Sequence, residues 1–167
     1  MKPPPTSSQP DASAAGSELL LALDQERSSI ISAALEAIGH SRTRYAAAGQ
    51  GETRRRLDAL YDELCSAVSS RDLGHIVGYA RHLAAERFEA GYDLSEVQRA
   101  FNALEEATWS TLCARLRPDQ LALSLGLVGT VLGAAKDALA REYVSLASRT
   151  HVSSLDLRAL FSGDAGG

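Results

Sequence analysis

The side chains best spaced for chemistry are His75, Tyr79, His82 and Glu86. They recur at i, i+4, i+7 and i+11, a spacing that sets them along one face of a helix at about 100° per residue. Imidazole and carboxylate are metal ligands, yet His82 and Glu86 offer two protein ligands where zinc chemistry takes three. His75 and His82 stand two turns apart, about 10.5 Å along a helix axis, too far to share one ion without a bend. No metal is expected here, and the face reads as solvated or as a surface for a partner. A second cluster, Arg54, Arg55 and Arg56, falls near the start of a helix, where positive charge opposes the macrodipole. Solvated arginines are the ordinary reading of such a run. Contact with an anion or an acidic partner is the sharper one.

Other chemistries lack their residues. No glycine-rich phosphate loop follows a strand pattern, and neither Cys-x-x-Cys nor His-Glu-x-x-His occurs. No nucleophile elbow joins serine, histidine and aspartate. His40 and His151 fall at element ends and the other two histidines on a polar face, so none offers the apolar setting of a proximal haem ligand. Cys65 and Cys113 are too few for a disulfide framework and read as reduced, buried, small apolar residues. The expectation is therefore a protein that is not an enzyme, with no catalytic residue, no cofactor and no metal. A net charge of −4 gives no global pull toward nucleic acid or anionic lipid.

The elements that carry these residues are helices. A chain of 167 residues rich in Ala and Leu, with four of its five prolines in the first ten positions, reads as one all-α domain. Residues 1–16, opening Met1-Lys2-Pro3-Pro4-Pro5, have the composition of a disordered leader and lack a secretory signal. Residues 17–150 form the expected domain, a bundle of about five main helices. Residues 151–167 form a tail or short docking helix.

The first helix is expected from Ser17 to Gly39, with Leu20, Leu23, Ile30, Ile31, Ala34 and Ile38 recurring at helical spacing and Arg27 interrupting the stripe. A connection through Arg42, Arg44 and Tyr45 leads to a second helix near Glu52–Ser69. A third follows from about Asp72 to Ala90, with Gly74 and Gly78 inside it.

Gly91 supplies a left-handed stop, and Asp93 with Glu96 forms a capping box for a fourth helix. Leu94, Val97, Phe101, Leu104, Thr108, Thr111 and Leu112 mark its apolar stripe, with Trp109 at the flank. Pro118-Asp119 opens a long fifth helix, uncharged from Gln120 to Ala135. That run is shorter than the about 20 residues of a membrane span and lacks basic anchors. A helix apolar all round is expected to be buried all round. Gly126, Gly129 and Gly133 would let other backbones approach it, either inside the bundle or across a dimer seam.

The run from Ala84-Ala85-Glu86-Arg87 through Gly91-Tyr92-Asp93-Leu94-Ser95-Glu96-Val97 to Phe101, Leu104 and Trp109 resembles the helical N-terminal domain of RsbT co-antagonist proteins of the RsbRD type. The likeness extends more weakly from about Leu23 to Ala147, through the basic segment Arg54–Arg56. It implies a sensory or regulatory input module of bacterial stress signalling, placed in the cytoplasm. Such a module would act through a protein partner and self-association, without catalysis. It transfers no catalytic or ligand residues. The candidate interaction surface is His75, Tyr79, His82 and Glu86 together with Gly126, Gly129 and Gly133. Two alternatives stand beside it. One is a small-molecule sensor with an apolar pocket between the third, fourth and fifth helices. The other is a transcription-linked regulator contacting nucleic acid through Arg54–Arg56.

Overall fold

The computed structural model describes residues 12–39 and 50–154. Residues 1–11, the connection at 40–49 and residues 155–167 lie outside it, and so do the expectations for them. Among the described residues there are five helices and no strand: α1 (Ala12–Gly39), α2 (Gln50–Ser70), α3 (Gly74–Glu89), α4 (Leu94–Arg115) and α5 (Pro118–Ser154). The all-α bundle expected from periodicity is the fold observed, with a long last helix. The first helix begins at Ala12, ahead of the expected cap at Ser17, because Ala-Ser-Ala-Ala favours helix well enough to extend it.

One core joins all five helices. Of the inward residues of α1 named from its spacing, Leu23, Ile30, Ile31, Ala34 and Ile38 are buried and Leu20 is half-buried against them; Leu57, Leu60, Tyr61 and Leu64 of α2 are buried. α1 packs chiefly against α4 and α2, and α3 chiefly against α5. Tyr61 is buried to its hydroxyl, which donates to the Leu23 carbonyl at 2.8 Å. Burial pushes that phenol well above its usual range. Arg27, the break in the stripe of α1, reaches Asp58 at 3.2 Å, pairs with Asp62 and lies 5.3 Å over the Tyr61 ring. It is half-buried beside acids, so α1 and α2 are tied by charge as well as by packing.

The turn between α3 and α4 is built as its sequence dictates. Gly91 has φ 76°, in the left-handed region. The Tyr92 amide donates to the Arg87 carbonyl and the Gly91 amide to Phe88, the paired bonds of a Schellman stop. The Asp93 amide then donates to Glu96 at 3.0 Å, and the capping box is closed. Val97, Phe101, Leu104, Thr108 and Leu112 are buried, so this helix is fixed at its start and along its stripe.

Three expectations are corrected. α3 begins at Gly74 and not near Asp72, because the Asp72 carboxylate accepts the Gly74 amide at 2.8 Å and so stands outside the helix. Cys113 is exposed and not buried, because it follows exposed Trp109 by one turn on the outer side of α4. The uncharged run of α5 is not buried all round. Val128, Val131, Leu132, Ala135 and Leu139 face the core. Ala122, Leu123, Gly126 and Thr130 face outward. Among the described residues, four neighbouring helices pack against one side of α5 and none against the other.

Candidate functional site

Two surfaces hold the residues singled out by spacing, and they lie on different parts of the bundle. The first is the groove between α2 and α3. His75 and His82 are exposed there, and Tyr79 is half-buried against the core with its hydroxyl 3.4 Å from the Arg56 carbonyl. Burial pushes the Tyr79 phenol up to about 12. A shallow depression of about 520 Å³ runs past Glu63, Asp72, His75, Gly78 and His82. A second, of about 210 Å³, is bounded by Arg55, Arg56, Tyr79, His82 and Glu86. The spacing argument thus brings the four residues of α3 to one groove. It missed that α2 forms the other wall, because the pairing of two helices is not written in either one's periodicity.

Glu86 is the electrostatic centre of that groove. Its carboxylate accepts from Arg56 at 2.8 Å and from Arg87 at 2.8 Å. The Arg56 guanidinium foremost, with Arg87 beside it, holds this carboxyl down at about 2. Arg87 is buried, and its guanidinium lies 4.8 Å over the Tyr92 ring. That stack links α3 to the turn before α4. By position Arg87 continues the buried stripe of Ile76, Ala80, Leu83 and Ala84, but a charged side chain at the end of a stripe ordinarily reads as exposed. The signal that could have found it is the aromatic Tyr92 immediately after the glycine stop.

The three clustered arginines each pair with an acid of the chain. Arg54 lies 3.8 Å from Asp58, and Arg55 pairs with Glu52. Arg56 bridges Glu52 at 2.6 Å and Glu86 at 2.8 Å. Glu52 sits in the first turn of α2, where its charge suits the macrodipole and offsets the arginines that oppose it. Among the described residues no group of three or more His, Cys, Asp or Glu side chains converges as a metal would require. Beneath the groove, Leu57, Leu60, Leu83, Val97 and Phe101 enclose an apolar cavity of about 20 Å³, room for one water-sized guest. It lies among α2, α3 and α4, whereas the small-molecule reading placed a pocket among the third, fourth and fifth helices.

The second surface is the outer side of α5 with the flank of α4. Gly126 is exposed, and Gly129 and Gly133 are half-buried. Trp109 of α4 is 42% exposed and lies over Gly129, at 3.8 Å from where a β-carbon would stand. Lys136 reaches back to Glu105 at 2.6 Å and holds α5 onto α4. By length and composition α5 could cross a membrane over Pro118–Thr150, but its inward side is core of the bundle.

The described residues form an all-helical domain with an open groove between α2 and α3 and exposed apolar residues on α4 and α5. The family model described as the RsbT co-antagonist protein rsbRD N-terminal domain matches residues 25–158, and the chain belongs to that family. It is thereby a regulatory domain of bacterial stress signalling, from a family that is generally non-catalytic. No curated protein matches the chain, and no solved structure matches it.

Proposed function

We propose that this chain is a non-catalytic input module of the cytoplasm that works through protein–protein contact and as a homodimer. The observation that supports the reading is apolar surface exposed among the described residues. Trp109 and Leu123 are 42% and 36% exposed beside the uncharged run of α5, with Val144 beyond the exposed Asp137 and Arg141. Singly such residues are ordinary; beside an uncharged helical stretch they favour an interaction surface. The α2/α3 groove, with His75, Tyr79, His82 and Glu86, is the surface for a signalling partner of the RsbT type to which the family's description points. Its mixed polar lining suits a reversible contact.

Two measurements test the two halves. Sedimentation equilibrium of the chain gives a reversible monomer–dimer distribution, and a strict monomer at the highest soluble concentration removes the homodimer. Calorimetric titration with an RsbT-type partner gives saturable binding that His75→Ala with His82→Ala weakens while self-association stays unchanged. Binding indifferent to both substitutions removes the groove.

A further inference from the structure

We infer that the foot of the α2/α3 groove receives a lysine or arginine side chain from a basic segment of the partner protein, held between Glu63 of α2 and Asp72 before α3, beside Tyr79. The inference deepens the partner reading given above and rests on it.

The charges of the groove divide into two halves. At its head each arginine is matched within the chain. Arg55 pairs with Glu52, Arg56 with Glu52 and Glu86, and Arg87 with Glu86. At its foot two carboxylates, Glu63 and Asp72, line the depression of about 520 Å³. Asp72 accepts the Gly74 amide at 2.8 Å, and among the described residues no cation pairs with it or with Glu63. Glu63 is half-buried, so its carboxylate has given up part of its water without a counter-charge.

The nearby cations of the chain are turned elsewhere. Arg56 shares the groove side of α2 with Glu63 but stands two turns before it, about 10.5 Å along the axis, and is held by Glu52 and Glu86. The Arg71 guanidinium goes to α1, 3.9 Å from where a β-carbon of Gly16 would stand. Arg81 lies about 120° round α3 from His75 at 100° per residue.

The shape of the foot suits a long basic side chain. Tyr79 is half-buried and its hydroxyl is tied to the Arg56 carbonyl at 3.4 Å, so its ring is held in place beside the depression. An aromatic ring is a good neighbour for an aliphatic stem and its cation. Gly74 and Gly78 keep the α3 wall low, and a β-carbon at Gly78 would meet nothing within 4 Å.

Charge selects the occupant. An acidic segment would find its guanidinium partners already taken at the head and two carboxylates at the foot. An anionic lipid surface meets the same two carboxylates. The two depressions share Tyr79 and His82, so the groove follows α3 from His75 to Glu86, about 16 Å at 1.5 Å per residue. A free polyamine, charged along its length, would meet Arg55 and Arg56 at the head. A protein segment carries its charge at one end and neutral polar groups at the other.

The test uses the whole chain, titrated calorimetrically with an RsbT-type partner at low and at high salt. Glu63→Gln keeps the side chain's shape and removes its charge. It raises the dissociation constant about three- to tenfold and flattens its dependence on salt, and Glu63→Lys weakens binding further. Glu106→Gln, the same loss of charge at an exposed position on α4, leaves binding unchanged. Urea midpoints of all three variants stay with the parent. Binding that His75→Ala with His82→Ala weakens but Glu63→Gln does not overturns the cation at the foot and leaves the groove standing. Equal weakening by Glu63→Gln and Glu106→Gln reduces the effect to net charge and overturns it too. Tighter binding by Glu63→Lys overturns it in favour of an acidic segment. Spermidine that binds the parent more tightly than Glu63→Gln, beside a partner that ignores the substitution, overturns the protein occupant. A partner that does not bind at all overturns both the groove and the cation.

Discussion

Gly91→Ala and Gly126→Ala exchange the same two groups and should change stability in opposite directions. Gly91 has φ 76°, where a β-carbon crowds the following carbonyl at a cost of about 1–2 kcal/mol. Gly126 has helical backbone, and its added β-carbon meets nothing within 4 Å. Alanine there should recover the propensity difference, about 1 kcal/mol. For a chain of this size each 1 kcal/mol moves the midpoint by about 2–4 °C. Gly126→Ala is therefore expected about 2–4 °C above the parent, and Gly91→Ala about 2–8 °C below it. The assay is urea unfolding by circular dichroism, with thermal scans beside it. It is run dilute enough to keep the chain monomeric, since dimerisation would add a concentration-dependent term. A fall in the urea midpoint for Gly126→Ala at unchanged slope would refute the claim that the outer side of α5 is open in the monomer. Tolerance of Gly91→Ala would refute the left-handed stop.

Phe101→Ala, at a residue 1% exposed in the centre of α4, should cost about 3–5 kcal/mol, read from the urea midpoint. Cys113, exposed, should react with a thiol reagent at pH 8 well before Cys65, whose thiol burial pushes up to about 11. Equal rates would contradict the burial of Cys65. Glu86 has a carboxyl held down at about 2, below its ordinary value, by Arg56 first and Arg87 second. Its contribution is complete above about pH 5 and is lost as the pH falls toward 2, so Glu86→Gln should flatten the acid limb of stability against pH. The side chain is 45% exposed, so the difference at pH 7 should be about 1 kcal/mol or less.

Helix periodicity made the architecture legible, because each stripe names its own inward face. Val97, Phe101 and Leu104 lie where their spacing puts them, and the Gly91–Glu96 stop and cap form as their side chains require. What periodicity does not carry is how many neighbours a helix has. The run Gln120–Ala135 is apolar on every side, and that pattern fits equally a helix enclosed by its own bundle and one that shares a face with another chain. The placement of α5, with Leu123, Gly126 and Thr130 outward, shows only that the described helices enclose it on one side. The groove was half legible for a similar reason. His75, Tyr79, His82 and Glu86 share a face by spacing, but Arg56 joins them only through a tertiary contact across 30 residues; Arg87 is the sequence neighbour of Glu86. Of the acids that pair with the clustered arginines, Glu52 and Asp58 stand at i, i+3 and i, i+4 spacing on the same helix, and only Glu86 is recruited by the tertiary fold.

The central claim is that this domain works through surfaces it presents to other chains, its own copy foremost. Sedimentation equilibrium of the parent chain beside Thr130→Arg tests that claim most directly. The account predicts a reversible monomer–dimer equilibrium for the parent and a shift to monomer for the variant at equal concentration. A parent that remains monomeric at the highest soluble concentration would contradict it.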